Sequence, residues 1–194
     1  MGRNKEFDTA LVLHKAMEIF GQNGYEGTSL QELLSYLGIA RQSLYDTYGT
    51  KRDLFLSAVK MYLEGKNAAV MKRLEAPGSV KEAIRDIFQE GVNVLKDPER
   101  SKSCFIINSA IEQITRDSDL ARYFEGQTKQ LEDAFYQALV RAEAQGELKG
   151  GHVDVSALAR YLNQTRLSLT FIAKVTTDFD QLQDYIEVSL SVLE

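Results

Sequence analysis

Thr28-Ser29-Leu30-Gln31-Glu32-Leu33-Leu34-Ser35-Tyr36-Leu37-Gly38-Ile39-Ala40-Arg41-Gln42-Ser43-Leu44-Tyr45-Asp46-Thr47-Tyr48, closed by Gly49-Thr50-Lys51, reads as helix, tight turn, helix. Leu30, Leu33, Leu34 and Leu37 fall at the spacing of one apolar helical face. Gly38 can take the left-handed conformation that ends that helix, and Ile39 returns the chain to the core. The second helix presents Arg41, Gln42, Ser43, Tyr45 and Thr47 around a single leucine, Leu44, and carries no acid until Asp46. Arginine and glutamine can form two parallel hydrogen bonds with a base edge, and hydroxyls suit phosphate oxygens or either base type. This is the side-chain inventory of a helix that reads DNA. An ordinary helical hairpin inside a larger core is the competing reading, but a polar helix with one leucine buries too little for that role.

Outward from this stretch the chain is helical throughout. Pro77 and Pro98 are its two prolines, and no segment alternates β-branched residues as a strand would. A first helix is predicted from about Asp8 to Asn23, ending at Gly24. A fourth begins at Thr50, capped with Asp53, and runs to about Leu74. Ser79 and Glu82 form the next cap box, opening a helix that carries Val80, Ile84, Ile87, Phe88, Val92 and Leu95 and ends before Pro98. Further helices are predicted over Cys104–Thr115, Asp119–Gln145 (closed by Gly146 with Gly150-Gly151), Val153–Val175 and Asp178–Leu193. The predicted fold is all-α, with a helix-turn-helix domain over 1–54 joined without a flexible tether to a larger helical body over 55–194.

Composition narrows the function classes. Hydrophobic residues at 44% and charged residues at 26% are ordinary for a globular protein. No run approaches the ~18 apolar residues of a membrane span, and the first residues lack the apolar stretch of a secretory signal, so a cytoplasmic protein is expected. One cysteine, Cys104, excludes an internal disulfide. His14 and His152 are too few and too far apart for a metal site, and no cofactor is expected. Gly-x-Ser-x-Gly, His-Glu-x-x-His and phosphate-loop patterns are missing, which argues against an enzyme.

The net charge of −5 runs against the basic face usual in DNA binders. Through Leu54 there are six basic residues against seven acidic ones, so placement must compensate. Arg3 and Lys5 lie in an N-terminal arm, Arg41 opens the second helix, and Lys51 and Arg52 start the fourth. A modest number of phosphate contacts is expected.

Phe20, Gly24, Tyr25, Thr28, Gly38, Leu44, Tyr45, Lys51 and Leu54 resemble, in order and spacing, the N-terminal signature of the TetR family of bacterial transcription regulators. Leu34 and Leu37 stand where that family more often has alanine, Arg52 replaces a common glutamate and Tyr48 a common phenylalanine; none of these removes a contact-making group. The resemblance implies that Arg41 and Gln42 read bases in the major groove. It further implies that Ser43, Tyr45 and Thr47 touch phosphates or base edges, and that Lys51 clamps the backbone with the helix start at Thr28 and Ser29. Gln31 and Tyr48 complete the expected DNA-binding set.

For the body, the resemblance implies a homodimer through the last two helices and a small, largely apolar effector that releases the protein from operator DNA. Leu158, Tyr161, Leu162, Leu169 and Ile172, with Tyr185, Ile186, Leu190 and Leu193, are the apolar residues of those helices. The expected ligand pocket is lined by Tyr62, Phe88, Val92, Cys104, Asn108 and Phe171. Cys104 reads either as a small buried hydrophobe or as a sensor thiol, for which Lys102 would supply positive charge. Two function classes remain at this level: a ligand-responsive DNA-binding repressor, or a helical enzyme or ligand-binding protein that retains the head.

Overall fold

In the computed structural model, residues 7–148, 154–176 and 178–194 are described, and Arg3, Lys5, Gly150, Gly151 and His152 lie outside them. Among the described residues there are ten α-helices and no strands. They are α1 (Thr9–Asn23), α2 (Leu30–Leu37), α3 (Arg41–Tyr48), α4 (Lys51–Glu75), α5 (Val80–Lys96), α6 (Pro98–Cys104), α7 (Ile106–Ile114), α8 (Ser118–Ala144), α9 (Val155–Val175) and α10 (Phe179–Leu190), followed by a 3-10 turn at Ser191–Leu193. None is long and apolar enough to cross a membrane.

The helix starts follow local chemistry. Asp8 caps α1 by accepting from the N–H groups of Ala10 and Leu11. At α4 the box is reciprocal: the Asp53 N–H donates to Thr50 Oγ1 (3.2 Å) and the Thr50 N–H donates to Asp53 Oδ2 (2.9 Å). At α5 only half of the expected box forms. Glu82 N–H donates to Ser79 Oγ, but the carboxylate that answers is Glu147, which accepts from Ser79 Oγ (3.0 Å) and from the N–H groups of Val80 (3.2 Å) and Lys81 (3.0 Å). These donors, the Lys81 N–H foremost, hold the Glu147 carboxyl below the usual carboxylate range. The region between Pro98 and Thr115 also departs from expectation. Proline is tolerated in a first helical turn, so Pro98 opens α6 instead of merely ending α5, and Phe105 alone separates α6 from α7, its carbonyl accepting from the Asn108 N–H at 3.0 Å.

The helices form two compact units, one comprising the chain to Leu63 with Glu99–Leu120, the other Glu64–Pro98 with Ala121–Glu194. The first is therefore larger than a helix-turn-helix domain alone, because α7 packs on α1. Phe20, fully buried, meets Phe55 edge-on at 5.1 Å and Tyr25 at 6.0 Å. Its carbonyl accepts from the Gly24 N–H (3.0 Å) and from Ser109 Oγ on α7 (2.6 Å). Beside it Gly21 lets the backbones of α1 and the α6–α7 turn close up: a Cβ there would stand 2.7 Å from the Lys102 carbonyl oxygen.

In the second unit, Val80, Ile84, Phe88 and Val92 of α5 share one hydrophobic cluster with Leu131, Phe135 and Leu139 of α8, and with residues of α9 and α10. Most of the apolar residues expected at the dimer face are therefore already covered. Leu158, Leu162, Leu169, Ile186, Leu190 and Leu193 are buried within this unit's own core, and Tyr185 hydrogen-bonds Ser168. An apolar helical face serves its own chain before any twin. Of the expected set Tyr161 stays exposed, as do the large apolar side chains of Phe171, Val175 and Val188 on these helices.

The packing at Gly21 reverses an ordinary sign. Glycine to alanine inside a helix normally gains about 1 kcal/mol. Here Gly21→Ala is expected to cost about 1–3 kcal/mol, because a backbone carbonyl must move. Urea unfolding measures it, and a midpoint equal to or above that of the unaltered protein would contradict the packing.

Candidate nucleic-acid interface

The turn between α2 and α3 is made by Gly38, left-handed at φ 69° and ψ 32°, whose N–H donates to the Leu34 carbonyl as the Ile39 N–H also does. Leu33, Leu37 and Leu44 are buried, and the Tyr48 hydroxyl donates to the Thr9 carbonyl at 2.9 Å, tying the end of α3 to the start of α1. The other side of α3 is open. Arg41, Gln42, Tyr45 and Asp46 are exposed along it, with Ser43 and Thr47 half-buried at its edges. Gln42 Nε2 donates to Asp46 Oδ1 at 2.7 Å, and the Arg41 guanidinium lies 5.9 Å from the centre of the Tyr45 ring.

Two further groups flank this face in the sequence. Ser29 is exposed and forms a full capping box with Glu32, each side chain accepting from the other's backbone N–H at 3.2 Å. Its hydroxyl keeps a proton to donate, and the remaining N–H groups of the first turn, next to exposed Gln31, are suited to an anion. Lys51 is half-buried with its ammonium 4.3 Å above the Tyr25 ring, and burial lowers its pKa, partly opposed by Glu26.

Three of the expected contacts are altered. Thr28 has no exposed surface and its hydroxyl donates to the Gly24 carbonyl at 2.7 Å, so its side chain holds the α1–α2 turn rather than a phosphate. Tyr48 is half-buried with its hydroxyl committed to Thr9. Arg52, counted among the cations that offset the acidic charge, is bidentate to Asp117 (2.7 and 2.8 Å) and also reaches Asp119 (2.9 Å). The guanidinium holds the Asp117 carboxyl below its usual range. Because the folded pKa is depressed, this pairing stabilises the fold above the ordinary carboxylate range, and the contribution disappears as pH falls through the lowered value. Asp46 as the partner of Gln42 was readable from the four-residue spacing. Asp117, distant in sequence from Arg52, left no such signal.

The expected pocket residues are not gathered in one unit. Phe88 and Val92 belong to the core of the second unit. Phe171 is 60% exposed, because it lies on the face of α9 opposite buried Leu162 and Leu169. Tyr62, Cys104 and Asn108 belong to the first. The Cys104 thiol is buried and directed to the Arg100 carbonyl at 3.6 Å, while Lys102 pairs with Glu99. Asn108 is 5% exposed, and neither its amide nitrogen nor its oxygen has a partner.

Residues 12–58 match the family of bacterial regulatory proteins described as the tetR family. The chain is 80% identical over its full length, and that of its relative, to the HTH-type transcriptional regulator YezE of Bacillus subtilis (strain 168). It is 29% identical to the HTH-type transcriptional repressor ComR of Escherichia coli (strain K12), over 97% of this chain and 90% of that one. Among solved structures, a cysteine mutant of the TetR family transcriptional regulator CifR, complexed with 26-bp double-strand operator DNA, superposes with a TM-score of 0.82 at 25% identity, covering 99% of this chain and 100% of its own.

The two neighbouring cations at the start of α4 are expected to separate in solution. Lys51→Ala should weaken binding to all DNA sequences alike and reduce the slope of log affinity against log salt by about one. Arg52→Gln should leave that slope unchanged while lowering the urea midpoint, since Asp117 loses its partner. A reduced slope for Arg52→Gln would contradict the assignment.

Proposed function

The chain belongs to the TetR family of bacterial regulatory proteins, and from that membership we propose that it is a repressor that binds a palindromic operator as a homodimer and leaves it when a small molecule binds in the helical body. The observation that carries this reading is the exposed polar face of α3, with Arg41, Gln42 and Tyr45 on one side of a helix anchored by Leu44 on the other. Arg41 and Gln42 read base edges, Ser43, Tyr45 and Thr47 lie alongside on bases or phosphates, and Ser29, Gln31 and Lys51 hold the backbone. Residues 1–54 carry this activity and 55–194 the dimer contacts and effector response.

The dimer face is the exposed apolar strip of Tyr161, Phe171 and Val175 on α9 with Val188 on α10. Two-fold pairing through it makes the operator palindromic, with half-sites about 34–36 Å apart or a multiple of that. The effector is small and largely apolar, with one donor and one acceptor for the Asn108 amide, whose buried atoms cost about 1–3 kcal/mol each when left without partners. Asn108 is adjacent to Ser109, which holds the Phe20 carbonyl of α1, so a ligand that draws on α7 acts on the DNA-binding head. The ligand releases the protein only if it favours the arrangement that cannot bind DNA, and operator then weakens ligand binding by the same factor.

Selection of double-stranded DNA from a random pool tests this reading. The full chain should select a palindrome, and Gln42→Ala should relax one position in each half-site by about 1–3 kcal/mol. Sedimentation should give a dimer at micromolar concentration, and a monomer for Phe171→Asp combined with Val175→Asp. A non-palindromic selected site, or a monomeric unaltered protein, would contradict it.

A further inference from the structure

The one acid on α3 stands beside a side chain assigned to read a base. Gln42 Nε2 and Asp46 Oδ1 are 2.7 Å apart, one helical turn separates the residues, and both are exposed. A carboxylate only accepts hydrogen bonds. The Gln42 amide must therefore turn its nitrogen toward Asp46, since the inverted amide would set two acceptors against each other with no proton between them. Of the two N–H groups, the one directed away from Oε1 serves Asp46, because the other would bring Oε1 up against the carboxylate. What remains outward is Oε1 and the N–H beside it, an acceptor next to a donor.

That pair complements the major-groove edge of adenine, which offers a donor at N6 and an acceptor at N7. Guanine offers acceptors at both O6 and N7, and meets Oε1 with repulsion. We propose that Asp46 is a specificity-determining positioning residue that locks the Gln42 amide in the orientation reading adenine and rejecting guanine. This rests on the base-reading role proposed above for α3.

The charge of Asp46 bears on the same point. The exposed side of α3 carries one cation, Arg41, and the acid Asp46 on the same side repels the phosphates of every sequence. Asp46 also lies in the last turn of α3, where the helix dipole disfavours an anion. It thus lowers general affinity and favours discrimination, a repulsive element that selects among partners. Replacing it by its amide relieves both penalties, so the variant retains the fold.

DNA selection and competition binding at one fixed salt concentration, with the full chain, test the proposal. The unaltered protein should prefer adenine to guanine at one position in each half-site. Asp46→Asn can accept or donate, so the Gln42 amide is free to invert; the adenine-to-guanine ratio should fall at least about threefold while affinity for non-specific DNA rises. Asp46→Glu keeps an acceptor and should restore most of the ratio. In a Gln42→Ala background, Asp46→Asn should leave that position unchanged. A merely structural residue would weaken all sequences alike and shift no base preference. If Gln42→Ala alters the selected base but Asp46→Asn does not, the positioning role is overturned and the base-reading role stands. If Gln42→Ala alters nothing, both fall together.

Discussion

Phe20 is the constraint on which the DNA-binding head depends. Its ring joins α1 to Tyr25 in the α1–α2 turn and to Phe55 on α4, and its carbonyl accepts from Gly24 and from Ser109 of α7. One residue thus brings together the helix before the turn motif, the helix after it and the helix that carries Asn108. Tyr25 in turn lies under the Lys51 ammonium, so the aromatic cluster that closes the core also places a cation at the start of α4. With these neighbours fixed, α3 needs only Leu44 and the Tyr48–Thr9 hydrogen bond to hold it, and its remaining surface is left to polar groups.

Local signals in the sequence carried most of the head. The leucine spacing of α2, the left-handed Gly38 and the Thr50–Asp53 box each act within a few residues, and all appear where the sequence places them. Long-range pairings were not legible. Arg52 reads as a phosphate-binding cation until Asp117 and Asp119 are brought to it, and Thr28 reads as an exposed cap until its burial beneath the α1–α2 turn is seen. Most of the apolar residues expected at the dimer face turned out to be covered, for a related reason. Periodicity shows that a helix has an apolar face but not which partner covers it. The leucines of α9 and α10 are taken by their own chain, and the outward strip of Phe171, Val175 and Val188 is too sparse to register as a second stripe.

Charge is the other thread. In this chain 23 Lys and Arg are outnumbered by 28 Asp and Glu, so the placement of each cation near α3 matters. Arg52 serves the fold, Arg41 stands over Tyr45 and Lys51 over Tyr25, so these two cations have aromatic faces beneath them that restrict their freedom before any DNA arrives. Preorganised contacts of this kind favour discrimination over general affinity for phosphate. The same holds for Gln42 and Asp46, where an acid stands on the face proposed to meet DNA.

On the proposed reading α3 enters the major groove with Arg41 and Gln42 leading. A crystal structure of the full chain on its selected DNA tests it most directly. Arg41 and Gln42 should stand within about 3.2 Å of base-edge atoms, Ser29 and Lys51 on phosphate oxygens, and Arg52 should remain paired with Asp117. A complex in which α3 faces solvent, or in which Gln42 touches only phosphate, would contradict it.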